Sequence, residues 1–243
     1  LIYPTLPGQQ PQVIMGQQGG FNLCLDKEGA LAATLAGKIL ASTGKPVRRH
    51  QWLFVGVSYN GETGRLFLAQ WPLAVSPGDR AISAKGSLEV CAGVGETISS
   101  SDAQFLIASG GESNFFNGKI DRPRLAKRAL SSAEMELLCA YEVPAGLASD
   151  VLGAWDFGSN ITTDGFLDKS TNDLKGILFN LPTRGVTGHN WDGSEHNWRY
   201  APEQYGAAHF HEDDLYDAGW KTDFSYTIPD DLPSGIYAAR LRH

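Results

Sequence analysis

Residues 48–70, RRHQWLFVGVSYNGETGRLFLAQ, decide the fold class. Trp52, Phe54 and the run Val55–Val57 predict a mostly buried β-strand. A turn between Gly61 and Gly64 then leads into RLFLAQW, which predicts the partner strand of a hairpin. Short strands separated by glycine turns are typical of a β-sandwich or a jelly roll.

Further upstream, GGFNLCLD alternates Phe21, Leu23 and Leu25 on one face, which predicts another half-buried strand. The segment SSAEMELLCAY predicts the one short helix. In it, Ser131 and Glu134 have the spacing of a capping box, with Met135, Leu138 and Cys139 on a common face. The whole chain is therefore expected to be mainly β.

Bulk composition excludes several function classes. The 243 residues include 28 glycines and 12 prolines, and the net charge of −7 argues against nucleic acid or an anionic membrane as partner. No apolar run reaches the roughly 18 residues that a membrane span needs. Cys24, Cys91 and Cys139 show no metal-ligand spacing, which favours buried free thiols in a reducing cytoplasm.

Charge divides the chain into two regions. Residues 1–145 carry 13 Lys and Arg against 12 Asp and Glu, whereas residues 146–243 carry 7 against 15. The stretch EVPAGLASD, Glu142 to Asp150, is the predicted joint. We expect a β-sandwich over 1–145 and a β-rich acidic extension over 146–243.

The first region resembles the laminin-G and concanavalin-A-like superfamily. Its closing signature is similar to residues 115–135, FFNGKIDRPRLAKRALSSAEM. The residues that fit are Phe116, Gly118, Ile120, Asp121, Arg124, Ala129, Leu130, Ser131 and Glu134. The resemblance covers roughly residues 1–140 and implies a jelly-roll sandwich, with the first strands expected upstream of Leu1.

The second region resembles the large subunit of N,N-dimethylformamidase and its relatives. The stretches that carry this resemblance are AWDFGSN, LFNLPTRGVTGHNWDG and AAHFHEDDLYDAGWKTDFSYTIPDDLPSGIYAARL. It implies amide hydrolysis by a downstream catalytic domain, in which tyrosines and a carboxylate hold a mononuclear iron. It also implies contacts with that domain, a small helical subunit and other copies of the chain.

The His-Pro-Glu sequence of the family's catalytic segment does not occur in these 243 residues. No catalytic residue and no cofactor are therefore expected within the chain, and the iron would belong to the full-length protein.

The segment HFHEDD is the candidate metal site. His209, His211 and Asp213 would share one face of a strand, and His189 and His196 could complete a ligand shell. The His-x-His spacing is short and common, so a hydrogen-bonded structural seam is the favoured interpretation, with partly buried histidines and no bound metal. Contacts of this cluster with the downstream catalytic domain or a partner subunit are a third alternative.

An aromatic-rich stretch offers a rival function, carbohydrate or protein recognition. Its candidate interface or ligand residues, together with two acids from HFHEDD, are Trp191, His196, Trp198, Tyr200, Tyr205, Glu212 and Asp214. The stretch could stack on a sugar, or it could pin this region against a neighbour, which we favour. Asp121 is expected to anchor the adjoining loop. The Glu-x-Asp-x-x-Glu array of glucanases and the GxSxG elbow of hydrolases are both absent.

Overall fold

A computed structural model describes residues 1–73, 88–93, 102–138, 140, 142–212, 219–240 and 242. Residues 1–212 form one compact unit, and residues 213–243 form a second unit. The strands of the first unit are β1 (Ile2–Pro4), β2 (Gln12–Gln17), β3 (Phe21–Leu25), β4 (Ala30–Leu35), β5 (Lys38–Pro46), β6 (Leu53–Asn60), β7 (Arg65–Pro72), β8 (Leu88–Gly93), β9 (Phe105–Ile107), β10 (Gly118–Asp121), β11 (Arg124–Ala126), β12 (Val151–Asp156), β13 (Gly165–Asp168), β14 (Gly176–Ile177), β15 (Thr183–Val186) and β16 (Ala207–Phe210).

Antiparallel sheets organise these strands. One sheet has seven strands in the order β15-β16-β10-β1-β6-β7-β8, and another has five in the order β5-β4-β3-β2-β9. A further sheet has the order β11-β12-β13-β14. Strand β16 pairs with β10 on one side and with β15 on the other, so it lies inside the seven-stranded sheet.

The main core lies between the seven-stranded and five-stranded sheets. Alternate residues of β6 and β7, such as Leu53 and Leu68, point into it and meet Leu25 and Leu31 of β3 and β4. These side chains are at most 1% exposed, as expected for a dry sandwich interior.

The opposite face of the seven-stranded sheet packs against a helix, α1 (Ser132–Leu137). Ser131 caps this helix: its side chain accepts a hydrogen bond from the Glu134 backbone N–H, and the Glu134 carboxylate accepts one from the Ser131 N–H. Met135 buries its side chain against β6, where a Cβ on Gly56 would lie 3.1 Å from the Met135 sulfur. Short 3₁₀ helices span Ala145–Leu147 and Pro202–Gln204.

Arg184 on β15 fixes a nearby loop. Its guanidinium donates to the carbonyls of Phe157 at 2.9 Å and Thr163 at 2.8 Å, and also to those of Ser159, Asn160 and Gly165. Burial lowers the pKa of this guanidinium, which the Asp156 carboxylate opposes. Five carbonyls of residues 157–165 are thus satisfied by one side chain.

The main sequence predictions for the fold are confirmed. The chain is mainly β, the hairpin of β6 and β7 turns at residues 61–64, and the capped helix forms where its sequence predicts. The cysteine prediction is half wrong: Cys24 is buried, but Cys91 is exposed on β8, and Cys139 lies outside the described residues. Burial raises the pKa of the Cys24 thiol to about 11.

The predicted division of the chain into two regions between residues 145 and 146 remains a prediction. The first compact unit itself continues across that point to Glu212, since β15 and β16 belong to its largest sheet. The described part of residues 213–243 exposes large apolar side chains, among them Trp220 and Ile236. Among the helices that the structure describes, none is long and apolar enough to cross a membrane.

Candidate functional site

A cleft of about 390 Å³ opens beside β10, β1 and β6, which are neighbouring central strands of the seven-stranded sheet. Tyr3, Trp52 and Lys119 come from these strands or their immediate ends. Two loop segments, 48–51 and 187–191, complete the lining. This volume lies within the range of sites that take a small molecule, which is roughly 300–1,000 Å³.

Tyr3 is the centre of the aromatic part of the cleft. Its ring stacks on His50 with the centroids 6.0 Å apart and tilts against Trp52 at 5.4 Å. The Lys119 ammonium lies 5.5 Å from the Tyr3 ring centroid and donates to the Thr187 hydroxyl at 2.9 Å. A cation above a tyrosine ring is held by the negative face of the π-system.

The cleft is lined by cations. Arg48 and Arg49 are exposed, and the Arg49 Nε donates to the Thr5 carbonyl at 2.8 Å. His50 adopts a left-handed backbone with φ 57°, which turns the chain sharply before β6. Burial lowers the pKa of Lys119, while the nearby Asp121 carboxylate raises it. No carboxylate belongs to the cleft lining among the described residues.

One loop wall of the cleft is anchored by hydrogen bonds between a buried carboxylate and a histidine. The Asp121 side chain is fully buried, and its Oδ2 accepts from the His189 backbone N–H at 3.1 Å and lies 2.8 Å from His189 Nδ1. The other ring nitrogen of His189 lies 3.3 Å from Nη1 of Arg122. An imidazole protonated at Nδ1 satisfies both contacts, because the carboxylate only accepts and the guanidinium only donates.

The environment of Asp121 favours its ionised form. Burial alone raises the pKa of this carboxyl, but the His189 hydrogen bond and the charge of Arg122 lower it. A Cβ at Gly188 would lie 2.7 Å from Asp121 Oδ2, so the close approach of the loop requires glycine there. Asp121 therefore anchors a loop that lies 68 residues away in sequence rather than the adjoining loop that we expected.

Three predicted aromatic candidates come together near the cleft. The Trp191 indole N–H and the Tyr205 hydroxyl both donate to the Glu195 carbonyl, each at 2.8 Å. The exposed His196 ring packs edge-on against Trp191 with the centroids 5.8 Å apart. Of this group, Trp191 lines the cleft, and Tyr205 is buried beneath the loop.

The remaining candidates lie elsewhere. Trp198 is half-buried and has the Arg199 guanidinium 5.3 Å from its ring centroid, and Tyr200 is 78% exposed. Glu212 accepts a hydrogen bond from the Gln10 side chain, and its backbone N–H donates to the Asn117 side chain at 3.1 Å. Asp213 and Asp214 lie outside the described residues.

His209 and His211 are both half-buried, with ring centroids 5.3 Å apart. Within β16, Ala208 and Phe210 face the main core, whereas Ala207 and His209 face the other side of the sheet, as alternation predicts. In the part of the chain that the structure describes, no three His, Cys, Asp or Glu side chains are arranged to hold a metal ion.

Most residues of the cleft were not predicted from the sequence. Tyr3, the basic pair at 48–49 and Lys119 belong to segments far apart in the chain, and only the fold brings them together. The one local signal is the cluster Arg48-Arg49-His50 just before a tryptophan, which marks a charged strand end.

Comparison with known proteins finds one family model and two sequences that match this chain. Residues 183–243 match a model described as "N,N-dimethylformamidase beta subunit-like, C-terminal". The chain is 42% identical to an N,N-dimethylformamidase beta subunit of Paracoccus aminophilus over 174 residues, which are 70% of this chain and 21% of that one. It is 31% identical to an N,N-dimethylformamidase beta subunit of an Alcaligenes species along 100% of this chain and 35% of that one.

The chain is therefore similar to N,N-dimethylformamidase beta subunits. It spans about a third or less of the length of these two relatives. Among solved structures, the chain is similar to one named "a putative carbohydrate binding protein" from Bacteroides ovatus. The TM-score is 0.53 at 14% identity, and the match covers 72% of this chain and 49% of the other. At that identity the likeness concerns the β-sandwich fold alone.

Proposed function

We propose that this dimethylformamidase-like chain is the structural and assembly region of an amide hydrolase that cleaves the C–N bond of small amides such as N,N-dimethylformamide. The observation that carries the proposal is the position of β16. The family-matched residues 183–243 begin with β15, and β16 hydrogen-bonds between β15 and β10 of the preceding sandwich. A scaffold that shares one sheet with the start of the next module can hold that module in a fixed place.

Partners and location follow from the same proposal. The relatives are named as beta subunits, which supports association with a further subunit. We propose contacts with the downstream catalytic domain, a small helical subunit and other copies of the chain. The free thiols of Cys24 and Cys91 are consistent with a cytoplasmic location.

Co-expression tests the scaffold role. Residues 1–243 and the remainder of a full-length relative, produced as separate polypeptides, should co-purify and together release dimethylamine from N,N-dimethylformamide. The 243-residue chain alone, supplied with iron, should release none. Turnover by this chain alone, or a stable and fully active remainder without it, would contradict the proposal.

His209 and His211 have an architectural role in this proposal. His209 lies in β16, and His211 follows the last residue of that strand. Because both rings are half-buried, His211→Ala should lower the melting temperature by a few degrees without changing the metal content. His196→Ala, which removes an exposed ring, is the matched control. Elemental analysis decides the point: stoichiometric zinc or iron that is lost in both His209→Ala and His211→Ala would mean a metal site instead.

Ligand recognition is a second candidate function, favoured by the aromatic and cationic cleft. Aromatic side chains and a few polar groups around a concave site are what small-molecule recognition requires. The fold likeness to the Bacteroides ovatus protein, named as carbohydrate binding, is consistent with a sugar ligand. Screening the chain against a glycan array tests this function, and binding of no glycan would count against it.

A further inference from the structure

We infer that the cleft takes a sugar acid, with the carboxylate held by Arg48, Arg49 and Lys119 and the ring of the ligand against Trp191. This inference rests on the second proposed function, ligand recognition, and specifies the class of ligand. It follows from charge, from the hydrogen-bonding character of the lining and from the arrangement of the aromatic residues.

Charge is the first step. Three side chains that carry a positive charge line the cleft, and none of its described lining residues carries a carboxylate. Arg48 forms no hydrogen bond or ion pair with any other described residue, and Arg49 uses only its Nε for the Thr5 carbonyl. The guanidinium groups are therefore available to an anion, and their fork geometry suits a carboxylate.

Hydrogen-bonding character is the second step. The side chains of Arg48, Arg49 and Lys119 only donate, and the side-chain nitrogen of Gln51 is a buried donor with no partner in the described part of the chain. A ligand that brings its own carboxylate suits these donors, because it supplies charged acceptor oxygens. The hydroxyl oxygens of Tyr3 and Thr187 and the side-chain carbonyl of Gln51 can accept from the hydroxyl groups of a sugar.

Aromatic placement is the third step. Trp191 is half-buried, and its indole is fixed by the hydrogen bond to Glu195 and by the edge contact of His196. The loop that carries it is pinned by Asp121. A rigid tryptophan beside a set of cations can cover the apolar face of a sugar ring while the carboxylate meets the arginines.

The test is a ¹H–¹⁵N NMR titration of the 243-residue chain with D-glucuronate, D-glucose and acetate at constant ionic strength. D-Glucuronate should bind about tenfold more tightly than either of the others, because glucose lacks the charge and acetate lacks the ring. Equal affinity for glucose would overturn the inference while leaving ligand recognition in place. Equal affinity for acetate would overturn the sugar part, and no binding of any probe would overturn the inference entirely.

Arg48→Gln should weaken D-glucuronate binding about tenfold. Arg65→Gln is the matched control, because Arg65 is also exposed but lies at the other end of the β6–β7 hairpin, opposite Asn60. Lys119→Gln should weaken binding similarly, with thermal melting to check that it folds. An unchanged affinity in both Arg48→Gln and Lys119→Gln would show that the anion does not bind in this cleft.

Discussion

At the scale of single residues, Asp121 connects the fold to the cleft. Its backbone ends β10, and its carboxylate holds His189 and lies beside Arg122 without reaching solvent. Arg122 is also buried, so the carboxylate faces a charge that has little access to water. The Arg122 backbone is left-handed, with φ 51°. Removing one partner from a buried pair leaves the other charge uncompensated.

Asp121→Asn should therefore lower the free energy of unfolding by about 3 kcal/mol at neutral pH. Urea denaturation followed by circular dichroism measures this loss. Asp173→Asn is the control, since that carboxylate forms an exposed ion pair with Lys175 and its removal should cost less than about 1 kcal/mol. Similar losses in the two variants would mean that the Asp121 pair contributes no more than a surface contact.

At the scale of elements, Asp168 closes the turn that follows β13. Its Oδ1 accepts from the backbone N–H groups of Ala154 and Ser170, each at 2.8 Å. Its Oδ2 accepts from the Ser170 hydroxyl at 2.6 Å and the Leu174 N–H at 2.9 Å. Burial raises the pKa of this carboxyl, but the four hydrogen bonds outweigh burial and lower it.

The sign of the pH dependence follows from that lowered pKa. A carboxyl with a lower pKa in the folded state stabilises the fold above its unfolded pKa of about 3.9, and this stabilisation is lost as the pH falls further. Asp168→Asn should cost about 1 kcal/mol at pH 7, allowing for solvent screening, and progressively less below about pH 4. Denaturation of both proteins at several pH values measures this, with Asp173→Asn as the control. A constant difference across that range would be inconsistent with this role of the carboxylate.

Several elements were predictable because their signals are local. The alternation around Trp52, the glycine turn and the Ser131–Glu134 box each occupy one continuous stretch, and all three formed as expected. The cleft was not predictable in this way. Lys119 and Thr187 meet only because β10 and the loop after β15 are brought together by the sheet, and no spacing in the sequence encodes that contact.

At the scale of the whole molecule, the seven-stranded sheet is assembled from distant parts of the chain. Strand β1 pairs with β10, which is more than a hundred residues later, and β10 pairs with β16, which follows after some ninety more. The contacts of HFHEDD could not be predicted from the sequence for the same reason: alternation places the side chains on faces, but it does not say which other segments meet them.

The interior position of β16 has a consequence for how the protein could be divided. If the backbone were cut between residues 182 and 183, the shorter piece 183–212 would still contain both strands and His189, while the longer piece would present β10 as an open edge. Main-chain pairing to such an edge is a general mode of peptide recognition. We expect a synthetic peptide of residues 183–212 to re-enter the sheet and stabilise a protein of residues 1–182.

Thermal melting of residues 1–182 with increasing peptide measures this reassembly. At a peptide concentration about 100 times its Kd, the stabilisation should reach about 3 kcal/mol. A peptide carrying Ala208→Arg is the control, because Ala208 is fully buried opposite Ile120 and a charged side chain there would block insertion. If the unmodified peptide left the melting temperature of residues 1–182 unchanged, the covalent link would be required for the sheet to form. If the two pieces reassemble, one broken peptide bond converts a unimolecular folding reaction into a bimolecular one. The melting temperature then depends on the concentration of the two pieces.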